Sequence, residues 1–374
     1  MWRPAWRKAC QQMTETLQTP LATIETVAEG RLCVRALVPC SAQALALSLG
    51  MSRVSATHEF ESGYASRVAD AGGQHCPVRL GGGSRLSAGD VVEFALEPFV
   101  GEGRAAVARD AGGPRVPAGS RPRPGVRVLY EDPFCLAVEK DAGVLIHGDG
   151  TGATNLTDLV RECLASRALL GSAAMAQPVQ RLDMETTGVV LFSKTSQFQP
   201  AFDALVAGHD SIAKRYLALV GPGFPTGTRR VELAIARDRH DSRRMRVERR
   251  AADGGRGARG ASHRGGRDAA RARGQAAKPA LTTVTLLASG PRASLVLAEL
   301  GTGRRHQIRV HLASMGFPIL GDPLYARGAA ARGPLMLHAY EESFEHPVTG
   351  QAVLVRTAWP ARFASAGFAE VSLP

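Results

Sequence analysis

Apolar and polar positions alternate along 281–287 and again along 293–300, on either side of Ser289-Gly290-Pro291. That period of two, broken by turn residues, predicts a paired β-hairpin. Strand-like runs at 126–130 and 135–140 flank the turn Glu131-Asp132-Pro133 in the same way. The continuous apolar run Val189-Val190-Leu191-Phe192 follows Thr186-Thr187-Gly188 and predicts a strand buried on both faces. Residues 212–220 read as a further strand, ended by Gly221, Pro222, Gly223 and Pro225. Helical spacing occupies 42–49, 156–170, 199–207 and 308–315. Thr154-Asn155 supply caps for the second of these, and Gly316 stops the last. Short strands at 90–96, 335–340 and 352–356 complete the pattern.

These elements divide the chain. Residues 1–19 read as an N-terminal tail, 20–99 as a small module, and 126–366 as a larger mixed domain followed by a tail, 367–374. Between the two domains, 100–125 is rich in Gly, Pro, Ala and Arg without periodicity, which predicts a flexible basic linker. A second tract, 247–277, is dense in Arg, Gly and Ala and holds almost no larger apolar residue. It cannot bury enough surface to offset its ordering entropy, so disorder is expected there.

Charge narrows the partner. A formal net charge of +12 over 374 residues favours polyanions or anionic membranes. No apolar run reaches the length needed to span a bilayer, and the first residues lack the apolar centre of a secretory signal. Only 5% of residues are aromatic, which argues against wide stacking platforms for single strands. The six cysteines are scattered, with no Cys-x-x-Cys, which predicts a reduced, cytoplasmic protein without a disulfide frame or zinc knuckle.

Two stretches carry chemistry. The first is Gln180-Arg181-Leu182-Asp183-Met184-Glu185, at the lip of the apolar strand; alternation would put Arg181 and Asp183 on one strand face. The second runs from Thr302 to His311 and places Arg309 between Ile308 and Val310 on a helix. A guanidinium in apolar surroundings needs an acid, because an unpaired buried charge costs several kcal/mol. Asp183 is one candidate and Asp322 the other. His306 and His311 are five apart, off-face on a helix, and no His-Glu-x-x-His occurs, so no metal site is expected. Gly301-Thr302-Gly303-Arg304 lacks the Lys-Ser/Thr of a phosphate loop, although a helix start there could hold an RNA phosphate. Asp183 with Glu185 as a glycosidase pair is the competing reading.

Several motifs, in order, resemble the RluA-type pseudouridine synthases, which isomerise uridine to pseudouridine in RNA. They are Tyr130-Glu131-Asp132 through Gly143 and His147; Arg181-Leu182-Asp183 with Thr186-Thr187-Gly188; Lys214-Arg215-Tyr216-Leu217-Ala218; Lys278-Pro279-Ala280; Thr302 to His311; Gly316 to Tyr325; and Leu337-His338-Ala339. The resemblance implies an α+β catalytic domain with a bent, mostly antiparallel sheet and a central cleft. It implies Asp183 as nucleophile, Tyr216 stacked on the flipped base and aiding removal of the ring proton, and Arg309 paired with Asp183. Arg181 would fill the space the base vacates, while Lys214, Arg304, His306 and Gln307 would face RNA. No cofactor, nucleotide or metal is implied, since the isomerisation is redox-neutral. The expected partner is ribosomal or transfer RNA, with the protein a monomer. Gln180, Thr187 and Asp141 depart from the family's usual His, Ser and Pro, which bears on substrate fit. Segments 49–55 and 85–94 faintly resemble a ribosomal-protein-type RNA-binding module. A non-catalytic RNA-binding or assembly factor and a base-removing glycosidase remain as alternatives.

Overall fold

The computed structural model describes residues 21–28, 31–71, 74–96, 126–148, 150, 153–166, 176–208, 211–248 and 276–373. The expected N-terminal tail and the linker over 100–125 lie outside these residues, as does nearly all of the Arg/Gly-rich tract.

The first part of the chain holds β1 (Ala22–Ala28), β2 (Arg31–Ala36), β3 (Cys40–Ser41), α1 (Ala42–Ser48) and α2 (Arg53–Glu61). It continues with β4 (Ala65–Ala71), β5 (Gln74–Arg79), β6 (Arg85–Leu86) and β7 (Val91–Ala95). Strands β1-β2-β7-β4-β5 form a five-stranded antiparallel sheet. Both helices start on a serine cap: Ser41 accepts from Ala44 N–H and Ser52 from Ser55 N–H. The core of this part is continuous with that of the next, for Leu32, Val34 and Phe94 share one buried cluster with Phe134, Phe198 and Phe202. The carboxamide of Gln197 ties the two together, donating to Glu59 and to Ala95 O at 2.8 Å each.

The second part runs through β8 (Arg127–Glu131), β9 (Cys135–Lys140), α3 (Leu156–Ser166), β10 (Gln177–Pro178), β11 (Thr187–Ser193) and α4 (Gln199–Ala207). Next come β12 (Ile212–Val220), β13 (Thr228–Glu232), β14 (Ala234–Arg237), β15 (Met245–Glu248), β16 (Leu281–Ser289), β17 (Ser294–Leu300) and α5 (Gln307–Ser314). It closes with β18 (Leu337–Glu345), β19 (Ala352–Arg356) and α6 (Ala361–Ser365). Ten strands form one sheet in the order β13-β16-β17-β12-β18-β11-β9-β8, with β10 on β11 and β19 on β18. Every join is antiparallel except β11 with β18. The α+β architecture with a mostly antiparallel sheet is therefore as expected.

The central strands show why their sequences are mostly apolar on both faces. In β11 all residues from Gly188 to Ser193 are buried, and β9 is nearly so. Gly188 allows the parallel join: its φ is +116°, and a Cβ there would sit 2.0 Å from Ala339 O. Asn155 caps α3, its Oδ1 accepting from Asp158 N–H at 3.1 Å. Val247 and Glu248, at the start of the expected disordered tract, belong to β15 and pair with β14. At the other end, Phe368 is buried, and its carbonyl accepts from Trp359 Nε1 at 2.9 Å. The chain just past 366 is thus packed rather than a free tail. No helix among the described residues is long and apolar enough to cross a membrane.

Candidate active site

A cleft of about 530 Å³ opens beside the starts of β11 and α5 and the first half of β12. Asp183, Tyr216, Arg309, Arg181, Lys214, Arg304, His306 and Gln307 all line it. The eight side chains singled out from the sequence, drawn from three separate stretches, meet in one place.

Asp183 is not on a strand. Residues 181–186 form an irregular segment, and β11 begins only at Thr187. The alternation argument for Arg181 and Asp183 therefore fails, and so does the pairing of Asp183 with Glu185 on one strand face. A turn brings Asp183 to the cleft instead: Thr186 N–H donates to Asp183 O at 3.1 Å. Lys140 pins that turn from beneath. Its fully buried ammonium donates to Met184 O at 2.7 Å and to Asp141 O at 2.8 Å, and Gly143 N–H also reaches Met184 O. Burial pulls Lys140 down to about 8, with Glu185, Asp141 and Asp183 opposing.

Arg309 serves both acids that the sequence left open. Its Nε and Nη2 donate to the two oxygens of Asp322 at 2.8 Å each, and Nη1 donates to Asp183 Oδ2 at 3.0 Å. Burial alone would lower its pKa, but Asp322 first and Asp183 second hold it above the ordinary value. Asp322 is wholly buried and follows Gly321, whose φ is +75° and whose Cβ would meet Pro334 O at 1.8 Å. Asp322 Oδ1 also accepts from the N–H groups of Leu324 and Tyr325. The carboxylate of Asp183 is thus held on one oxygen by a guanidinium that is itself anchored.

His306 approaches the same oxygen, its Nε2 3.8 Å from Asp183 Oδ2. It is the one non-glycine residue with positive φ among those described, at 54°. Its Nδ1 lies 3.0 Å from Tyr325 Oη, which accepts from Met245 N–H at 2.7 Å. With that N–H on its oxygen, the phenol satisfies itself best by donating to Nδ1, which leaves the imidazole proton on Nε2. Burial, then the charges of Arg309 and Arg305, pull His306 down to about 4 against the pull of Asp183, so the ring is neutral near pH 7.

Gln307 lines the cleft, yet its carboxamide is committed to protein. Oε1 accepts from the Thr302 hydroxyl and Arg304 N–H, while Nε2 donates to Leu281 O and Thr282 Oγ1. Arg304 N–H is accordingly not free for a phosphate, and its Nε donates to Pro279 O at 3.1 Å. Arg181 is exposed at the cleft. Tyr216 is buried, and burial, then the charges of Glu342 and Asp183, hold its phenol well above the ordinary range. Burial lowers Lys214, with Glu342 opposing.

His311 spends both ring nitrogens on Thr282 Oγ1 and Leu233 O, at 2.9 and 3.0 Å. Asp132, Cys135 and His346 bring three potential metal ligands within 4.8 Å, away from the cleft. There His346 Nδ1 accepts from Val348 and Thr349 N–H, which turns its Nε2 to Asp132 at 3.1 Å. Burial, then Asp132, hold the Cys135 thiol above its ordinary range, and Asp132 Oδ1 also accepts from the N–H groups of Phe134 and Cys135, so these side chains tie down a turn.

Lys140, Tyr325 and Glu342 were not singled out from the sequence as site residues. Lys140 and Tyr325 lie within the motifs around Tyr130–Gly143 and Gly316–Tyr325 and carry no chemical pattern of their own. Glu342, in the strand Leu337–Glu345 between the apolar Tyr340 and Phe344, was the available signal for a buried charge.

Residues 135–314 match the family model described as RNA pseudouridylate synthase. The ribosomal large subunit pseudouridine synthase D of Zymomonas mobilis subsp. mobilis is 30% identical over 239 residues, covering 61% of this chain and 67% of that protein. The uncharacterized RNA pseudouridine synthase YhcT of Bacillus subtilis is 30% identical over 237 residues, covering 63% and 68%. Among solved structures, human RNA pseudouridylate synthase domain containing 4 aligns with a TM-score of 0.48 and 23% identity over 63% of this chain and 90% of that one.

Proposed function

Because this chain belongs to the RNA pseudouridine synthase family, an isomerase family acting on RNA, we propose that it converts uridine to pseudouridine in ribosomal RNA with Asp183 as nucleophile. The observation that carries the assignment is Arg309, which holds Asp183 Oδ2 at 3.0 Å while Asp322 fixes its other edge. The second carboxylate oxygen of Asp183 has no partner among the described residues and is the atom to attack the ribose. An ionised, oriented carboxylate is what such an attack requires.

The target nucleotide must leave its stack to reach the cleft, which costs a few kcal/mol. Arg181, exposed at the rim, is suited to fill the gap, since a guanidinium plane stacks on the neighbouring bases. Tyr216 would lie against the flipped ring. Attack by Asp183 breaks the bond between ribose and ring nitrogen, the uracil turns, and its carbon displaces the carboxylate. The proton on that carbon then leaves with the help of Tyr216. Lys214, Arg304 and His306 would contact RNA or hold Asp183, and Gln307 would act by shaping the loop before α5. Within this reading, 126–366 is the catalytic unit, 20–99 an RNA-contacting module, the protein a monomer and its place of action the cytoplasm.

Carbodiimide-stop sequencing of RNA from a deletion strain, and from that strain carrying the wild type or Asp183→Asn, tests the assignment. One or a few stops should vanish in the deletion, return with the wild type and stay absent with Asp183→Asn, although the variant still binds RNA. Stops restored by Asp183→Asn would remove the mechanism. Strand scission on mild alkali would point to base removal instead.

A further inference from the structure

One end of the cleft holds polar groups whose hydrogen-bonding capacity is unused. Gln180 and Lys214 both line it, and Gln180 is only 7% exposed. Behind them lies Glu342, 1% exposed, which the register of β12 and β18 sets opposite Lys214. Gln180 Nε2 donates to Glu342 Oε1. A carboxyl oxygen in that position accepts whether the group is ionised or carries its proton on the other oxygen. With no proton on that oxygen, the amino end of the carboxamide faces Glu342 and Oε1 of Gln180 turns away from it. That Oε1 is buried without a hydrogen-bond partner among the described residues, and so is Glu342 Oε2. A buried acceptor without a donor is destabilising, so two of them beside a substrate cleft call for a donor from outside the protein.

Resting on the uridine-isomerising reading above, we propose that Gln180, oriented by Glu342, is a specificity-determining acceptor for the N3–H of the target uracil, with Lys214 donating to the adjacent ring carbonyl. Uracil presents carbonyl, N–H, carbonyl along this edge. Cytosine presents a bare N3 there, which would set acceptor against acceptor. The same contact suits the turning step. Exchange of N1 for C5 at the ribose is a half-turn of the ring about the line through N3 and C6. That half-turn leaves N3–H in place and swaps the two carbonyls. An acceptor at N3–H is thus a bearing that holds before, during and after rotation, and Lys214 meets a carbonyl on either side of it. Gln180, where the family usually has His, becomes with Glu342 a matched pair in this chain.

Synthetic RNA carrying the mapped target as uridine or 3-deazauridine, in which C–H replaces N3–H, tests this by single turnover with the full-length chain. The wild type should act on the 3-deazauridine strand about tenfold to a hundredfold more slowly than on the uridine strand. Gln180→Leu should be slowed by a similar factor on uridine and lose nothing more on 3-deazauridine. Glu342→Gln, whose amide can satisfy Gln180 in either orientation, should show a ratio between the two. Since Gln180→Leu leaves Glu342 without its partner, the double variant Gln180→Leu, Glu342→Leu is assayed beside it and should show the same collapsed ratio. A wild-type ratio near one, or a full ratio retained in both Gln180 variants, overturns the proposal while the isomerase reading stands. A wild type that leaves the uridine strand unchanged overturns both.

Discussion

Arg309 grips Asp322 with two parallel bonds, Nε to Oδ2 and Nη2 to Oδ1, each 2.8 Å long and shielded from solvent. This is the stronger half of the arrangement at the cleft, because the bidentate pair fixes the guanidinium in two dimensions before Asp183 is met. Asp322→Ala removes both bonds and leaves the buried cation with Asp183 alone. Unfolding in urea should show a loss of about 3–5 kcal/mol, and the folded fraction should have little activity. A loss below 1 kcal/mol would mean that the pair is solvated.

Arg309→Lys keeps the charge but cannot span two acids. A single ammonium can follow Asp322 or Asp183, not both in the present geometry. Single-turnover rates should fall by about a hundredfold to a thousandfold, while RNA affinity stays close to wild type. An unchanged rate would show that Asp183 needs charge nearby but no aimed donor.

Tyr216 combines two tasks that substitutions can separate. Tyr216→Phe keeps the ring and deletes the phenol, so RNA should bind normally and product should appear about tenfold to a hundredfold more slowly. Tyr216→Ala removes the stacking surface as well, and RNA affinity should drop by about 1–3 kcal/mol. Equal binding by both variants would place the base elsewhere in the cleft.

Glu342 should make stability depend on pH. Burial pushes its carboxyl up to about 7, against the pull of Lys214 and the bond from Gln180, from an ordinary 4.5. The folded chain therefore keeps a proton that the unfolded chain releases. This contribution is fully present below 4.5 and is lost as pH rises through about 7. Over that interval the wild type should lose roughly 2–3 kcal/mol relative to Glu342→Gln. Urea midpoints at pH 5 and pH 8 decide it, and parallel slopes for the two proteins would argue that Glu342 ionises freely.

The parts of this fold that were legible are those governed by short-range pattern. The hairpin of β16 and β17 follows from alternation about Ser289-Gly290-Pro291, and β11 from its unbroken apolar run. Motif resemblance gave Asp183, Tyr216 and Arg309, and Arg309 was rightly suspected of needing an acid. Its choice between Asp183 and Asp322 could not be read, because a guanidinium has five donors and the chain path that brings Asp183 to it spans 126 residues. Alternation misplaced Asp183 because the turn it occupies depends on Lys140, a charge buried by strands distant in sequence. Glu342 escaped for the same reason, as its burial is set by β12 crossing over to β18.

The parallel join of β11 with β18 has a consequence for how this protein is made. β18, one of the last strands to be translated, lies between β11 and β12, and it separates the strand after Asp183 from the strand that bears Tyr216. Until it emerges, a nascent chain carries two raw sheet edges and no cleft. A polypeptide released before residue 337 would be prone to edge-to-edge sticking and catalytically blank, so premature termination here leaves no partly working fragment.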